Sequence, residues 1–160
     1  MRDSQDCAQK PINIGLWQRV YTMLSELNKA ITRRYFKAYE TGDIDAVMEF
    51  IDPNYVLHPG AGGEPMSFEQ RKRDELVFFS AFSNIQTIVE DQIAEGDKVA
   101  NRITMHCTHT GQYQHIPATG KRIAITYIDI VLIKAGKIIE EWVEFDMMNI
   151  LQQISVRDHQ

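Results

Sequence analysis

The sequence predicts a single α+β domain, with helices in its first half and an antiparallel sheet in its second. Three observations carry that prediction. Apolar residues recur at three- and four-residue intervals up to Phe82, and from Ile85 onward they alternate or run continuously, the change from a helical to a strand period. Short glycine-containing connections separate the later segments, as antiparallel hairpins require. A chain of 160 residues with 44% hydrophobic and 24% charged content has the size and composition of one globular core.

Each element follows from local chemistry. Residues 1–15 are polar, contain Pro11 and Gly15 and show no period, so they read as a flexible arm ahead of a domain over residues 16–160. From Leu16, the residues Val20, Met23, Leu24, Leu27, Ile31, Tyr35 and Ala38 share one stripe of a long helix ending at Thr41-Gly42. Asp43 is a good N-cap for a short helix that buries Ala46, Val47 and Phe50 and is closed by Pro53. Tyr55 to His58 form an extended segment, stopped by the loop Pro59-Gly60-Ala61-Gly62-Gly63. Ser67 and Gln70 have the spacing of a capping box, which opens a third helix over Phe68 to Phe82. Leu76, Phe79 and Phe82 are its apolar residues, and Glu69, Arg71, Lys72 and Arg73 its solvated face. Four strands follow, over Ile85–Ala94, Val99–Tyr113, Arg122–Ile133 and Lys137–Phe145, and Asn149 to Ile154 form a terminal helix docked on the sheet edge.

Composition excludes several function classes. The formal net charge is −5 and the cations are scattered, so the chain lacks the basic footprint that displaces counterions from nucleic acid. Cys7 and Cys107 lie in unrelated surroundings and form no disulfide framework. No apolar run reaches the roughly 18 residues of a membrane span, and the first residues lack the apolar core of a secretory signal. A cytoplasmic location without membrane contact is the expectation.

The second half carries a more specific pattern. Thr108-His109-Thr110-Gly111-Gln112-Tyr113, then Ile116-Pro117-Ala118-Thr119-Gly120-Lys121, resembles the T-H-T-G-x-[FY] and P-x-T-G-[KR] run of the SnoaL-like polyketide cyclase (ester cyclase) family. Gly136 to Trp142 with Asp146 is similar to that family's G-K-I-x-E-x-W-x-x-x-D ending, and Leu151-Gln152-Gln153-Ile154 to its leucine-glutamine tail. Gly42-Asp43-Ile44-Asp45 and Tyr55 to Pro59 extend the likeness upstream, to roughly residues 25–155. The resemblance implies a cone of the nuclear-transport-factor-2-like superfamily, a curved antiparallel sheet wrapping a layer of N-terminal helices, often as a homodimer packed through the sheet. It also implies an aldol-type ring closure of a polyketide ester without metal or cofactor. In the characterised cyclases an Asp on the last strand, three residues before the position of Asp146, carries that work; here the position is Val143.

Ring closure needs a base to take a proton alpha to a carbonyl and an acid for the oxygen that becomes an alkoxide, and a carboxyl group in an apolar pocket serves either role. Asp129, the only charge in Tyr127 to Ile133, is the leading candidate; it faces a pocket, makes a structural hydrogen bond or meets a partner subunit. Glu141 is its candidate acid–base partner. In the register inferred from the family Asp129 lies opposite Val143 and diagonal to Glu141, whereas a plain two-residue turn at Ala135-Gly136 puts it opposite Trp142. His58 is a third catalytic candidate, or a cap on local backbone. Arg102 holds a substrate carboxylate or an outward salt bridge, Trp142 lines the pocket or packs in the core, and Asp146 binds substrate or caps the terminal helix. His109 and Tyr113 complete the candidate ligand-binding set. His106 and His109 point to opposite faces of a strand, so no metal is expected. The partner class is a small hydrophobic or carbonyl-containing molecule, with non-catalytic binding of a metabolite and a hydrolase or hydratase reaction as alternatives. A homodimer is expected because the last three strands are apolar on both faces, Ile123, Ile125, Val131 and Ile133 on one and Ile128, Ile130 and Leu132 on the other.

Overall fold

In the computed structural model, residues 14–60 and 62–155 are described. The arm expected over residues 1–15 therefore lies outside them, except that Ile14 and Gly15 already belong to the first helix, α1 (Ile14–Ala38). A 3₁₀ turn at Tyr39–Thr41 leads to α2 (Ile44–Met48), capped by the Asp43 carboxylate on the Asp45 N–H at 2.9 Å. Then come β1 (Ile51–Pro59), the two-residue β2 (Met66–Ser67) and α3 (Phe68–Ala81), followed by β3 (Phe82–Glu95), β4 (Lys98–His109), β5 (Arg122–Lys134), β6 (Lys137–Phe145) and α4 (Met147–Ser155). The Ser67–Gln70 capping box forms at the start of α3. Pro53 closes no helix; it lies in β1, which begins four residues earlier than the extended segment expected at Tyr55.

The strands form one sheet in the order β2-β1-β6-β5-β4-β3. The four expected strands pair antiparallel in sequence order, and β1 adds to β6 in parallel, so the sheet is mixed. Helices cover one face. The side chains turned toward them are the odd-numbered residues of β4 and β5, from Val99 to His109 and from Ile123 to Ile133. Beyond the end of β6 the exposed edge of β5 is closed by Gln153 of α4, whose amide exchanges hydrogen bonds with Ala124 N and O at 2.9 and 2.8 Å.

The last hairpin combines both registers considered from the sequence. Its turn is the two residues Ala135 and Gly136, with φ of 49° and 79°, and Lys134 opposes Lys137. A bulge follows: Ile133 pairs with Ile138 but Leu132 with Glu140, which restores Asp129 opposite Val143. The extra residue inverts the alternation, so Ile138, Glu141 and Val143 face inward while Glu140 and Trp142 face out.

Two helical faces differ from those expected. In α1 the first part of the expected stripe, Met23, Leu24 and Leu27, is exposed and Ser25, Asn28 and Thr32 are buried instead, whereas Tyr35 and Ala38 of that stripe are buried as expected. The reason is chemical: the sheet opposite this part of α1 presents polar groups, with Asn28 donating to the Gly96 carbonyl and Thr32 to Asn101 Oδ1 at 3.2 Å. In α3, Leu76 is exposed and Glu75 is buried, because the inward stripe runs Arg71, Glu75 and Phe78. Strand β4 also stops at His109 rather than Tyr113, since the N–H groups of Thr110 and Gly111 both turn to the Ala81 carbonyl, each at 2.9 Å. A Cβ on Gly111 would collide with the Ser80 carbonyl oxygen. Gly60 differs, because a Cβ there meets only the mobile end of the exposed Glu144 side chain. Chemical denaturation should show Gly111→Ala destabilised by about 2 kcal/mol and Gly60→Ala by no more than about 0.5 kcal/mol. Equal costs at the two positions would contradict this packing.

Candidate active site

Between the helices and the inward face of the sheet lies a cavity of about 390 Å³. Its walls are largely aromatic. Phe78 and Phe82 stack with centroids 5.0 Å apart, and Tyr113 meets Phe82 edge-on at the same separation. Tyr127, Val143, Met105 and Ile125 continue the wall along the sheet.

Into this apolar space the fold inserts a connected polar group. Arg71 Nη2 donates to Glu75 Oε1 at 2.8 Å and to the Tyr39 hydroxyl at 2.9 Å. The Tyr39 hydroxyl donates to the same Glu75 oxygen at 2.9 Å and lies 3.1 Å from the hydroxyl of Tyr35. Burial pushes the phenols of Tyr35 and Tyr39 well up, so both remain donors at neutral pH. Glu141 also lines the cavity, is 2% exposed, and accepts a hydrogen bond from the buried Tyr55 hydroxyl. Burial, then the Glu141 charge, likewise raises the Tyr55 pKa, which keeps that proton on Tyr55.

Asp129 is 1% exposed and faces the same side of the sheet, one strand over from Glu141. Its Oδ1 accepts from Asn101 Nδ2 at 2.8 Å, and its Oδ2 is buried with no partner. Asn101 is held in this orientation because its own oxygen accepts from Gln92 at 2.8 Å and Thr32 at 3.2 Å. Burial first, and the neighbouring Glu141 charge second, raise the Asp129 pKa well above the usual carboxylate range, against the smaller opposing effect of Asn101. Both effects favour the protonated form of Asp129 beside Glu141.

The other candidates scatter. Tyr113 lines the cavity. His109 faces inward and is fully buried, but its ring packs on Phe82 and its Nδ1 lies 3.0 Å from Thr119 Oγ1. His58 and Trp142 do not reach the cavity. Alternation along β1 and the bulge in β6 put both on the outer face, where their rings stack at 5.2 Å and His58 Nε2 meets Glu140 at 2.8 Å. Arg102 is also outside, paired with Asp91 at 2.7 Å. Asp146 caps α4 through the Asn149 N–H at 2.9 Å. Arg102 and Asp146 border an open depression of about 640 Å³ on the outer face, with Ile128, Phe145 and Met148. Among the described residues no group of three or more His, Cys, Asp or Glu is placed to hold a metal ion, and no helix is long and apolar enough to cross a membrane.

Sequence reasoning missed Arg71, Glu75, Tyr39 and Tyr55 as site residues, while Tyr113 is among its candidates. The signal was present: Arg71, Glu75, Phe78 and Phe82 recur at helical spacing, an i,i+4 ion pair on the same stripe as two aromatics.

Among known proteins, residues 29–154 match the sequence model of the SnoaL-like polyketide cyclase family. Aklanonic acid methyl ester cyclase DnrD of Streptomyces peucetius is 32% identical over 116 residues, covering 68% of this chain and 77% of that protein. The fold is shared with AclR from Streptomyces galilaeus, at a TM-score of 0.75 and 24% identity over 81% of this chain and 96% of the other. A SnoaL-like polyketide cyclase from Agrobacterium tumefaciens superimposes with a TM-score of 0.63 and 18% identity, covering 80% of this chain and 98% of that one.

The acid pair makes stability depend on pH in a definite direction. The folded-state pKa of Asp129 lies above its unfolded value of about 3.9, so its contribution to stability is fullest below that pH and is lost as pH rises toward the folded value. Asp129→Asn, a neutral isostere of the protonated acid, removes this decline. Melting curves from pH 4 upward should show the variant gaining on the unmodified protein; a constant difference between them would mean that the Asp129 pKa is not raised.

Proposed function

The chain belongs to the SnoaL-like polyketide cyclase family, and on that premise we propose that it is a cofactor-free cyclase in which Glu141 is the acid–base group. The observation that carries the proposal is a carboxyl group, 2% exposed, lining an apolar cavity with a phenol donor fixed against it. Glu141 takes the proton alpha to a substrate carbonyl. The resulting enolate carbon forms a bond to a second carbonyl of the same molecule, and the oxygen of that carbonyl becomes an alkoxide. Protonated Glu141 returns its proton there, so the product is an isomer of the substrate and the carboxylate is restored. Tyr55 orients the carboxylate. Asp129 lies outside the cavity wall and its raised pKa favours the protonated form, which limits the buried charge without a cation partner to the one carboxylate that works. In this reading Glu141 takes the place of the aspartate that the resemblance puts at Val143.

The substrate class is a polyketide ester or a related enolisable carbonyl compound, in keeping with the name of the relative DnrD. A hydrolase with two carboxyl groups on one water fits less well, because Asp129 is not among the cavity-lining residues. Non-catalytic binding is favoured by one observation, the apolar Val143 in the cavity wall. Turnover separates it from the cyclase. With aklanonic acid methyl ester as the first substrate tried, Glu141→Gln should keep binding and lower turnover by about a hundredfold or more. Unchanged turnover would remove Glu141 from the reaction, and binding without turnover in the unmodified protein would leave a binding protein.

We propose further that two copies pair through the outer face of the sheet. Ile88, Ile128 and Ile130 are between 39% and 53% exposed there. Sedimentation should give a dimer at micromolar concentration, which Ile128→Lys shifts to monomer; a monomeric unmodified protein would refute the pairing.

A further inference from the structure

Arg71 has more donors than its partners use. It is the one cation among the described residues lining the cavity, and its side chain is 17% exposed. Every hydrogen bond it makes runs through Nη2, to Glu75, Tyr39 and, at 3.4 Å, Tyr35. Nε is buried without an acceptor and Nη1 has none, although a guanidinium carries N–H donors on each nitrogen. An arginine serving only to neutralise Glu75 would gain most from a bidentate, fork-to-fork contact, and this one is monodentate.

We infer that Arg71 is the oxyanion-binding residue of the cavity, its unused Nη1 donors taking the carbonyl oxygen of the substrate as that oxygen becomes an enolate. The inference rests on the reading of Glu141 as the base. Proton removal moves one negative charge from Glu141 to the substrate oxygen, and the free donors of a guanidinium already inside the cavity hydrogen-bond the oxygen that receives it. The aromatic walls formed by Phe78, Phe82, Tyr113 and Tyr127 fit the flat body of such a compound. The substrate class narrows accordingly, to conjugated or aromatic carbonyl compounds whose enolate oxygen lies at the α3 side of the cavity.

The test uses binding alone, so it stands apart from the turnover of Glu141→Gln. The probes are 2-naphthoate, which carries its charge permanently, and its neutral methyl ester. In Glu141→Gln, which has given up its own charge as the enzyme does after proton transfer, 2-naphthoate should bind about tenfold more tightly than to the unmodified protein, with the ester within about twofold. Adding Arg71→Gln together with Glu75→Gln, so that neither charge is buried alone, should abolish the gain. Arg71→Lys in the Glu141→Gln background covers the case of a triple variant that does not fold. Its single ammonium is taken up by Glu75, and the gain should fall about fivefold or more. Tight naphthoate binding that survives these changes would overturn the inference, and so would the absence of any gain in Glu141→Gln.

Discussion

A space that buries three carboxyl groups and one guanidinium stays folded only if protons supply the balance of charge, and the rest of the site follows from how they are distributed. Glu75, Asp129 and Glu141 are 6%, 1% and 2% exposed, and Arg71 is the cation set among them. Two unpaired carboxylates at such burial would each cost several kcal/mol. The fold avoids that cost by pairing Glu75 with Arg71, giving Glu141 the Tyr55 hydroxyl, and leaving Asp129 protonated. Of the carboxyl groups that line the cavity, Glu141 is the buried one without a cation partner. A site that exchanges a proton with carbon requires a base of that kind.

Positioning comes from two small departures from regularity. The bulge in β6 moves Glu141 inward and sends Glu140 and Trp142 to the outer face, where they meet His58. The register that results sets Asp129 against Val143 and Asn101, and the amide chain Gln92–Asn101–Asp129 fixes which Asp129 oxygen accepts a hydrogen bond and which is left without a partner. The ion pair on α3 then closes the opposite side of the cavity. Each of these elements moves charge from where strand alternation or helical polarity alone would put it.

That history explains what the sequence could and could not disclose. Element order, the capping box at Ser67, the Asp43 cap and the two-residue turn at Ala135-Gly136 depend on neighbouring residues and were legible. The inward placement of Asp129 followed from its apolar strand. Trp142 was misplaced because one inserted residue, invisible in a period-two pattern, reverses every side chain after it. A charge on a helix is usually solvated, which points Arg71 outward from the sequence alone; its partner Glu75 and the aromatics in the same stripe turn it inward. The exposed stripe at Met23, Leu24 and Leu27 shows the opposite case, an amphipathic signal overridden by polar groups on the facing strands.

The protonation of Asp129 is the claim on which the charge balance stands, and it can be seen directly. Infrared spectra of the protein with unlabelled and carboxyl-¹³C aspartate, near pH 7, isolate the aspartate carbonyl bands. The account predicts a protonated-acid carbonyl stretch that shifts with the label and disappears in Asp129→Asn. A spectrum containing only carboxylate bands from aspartate would contradict it, since two buried anions would then stand side by side.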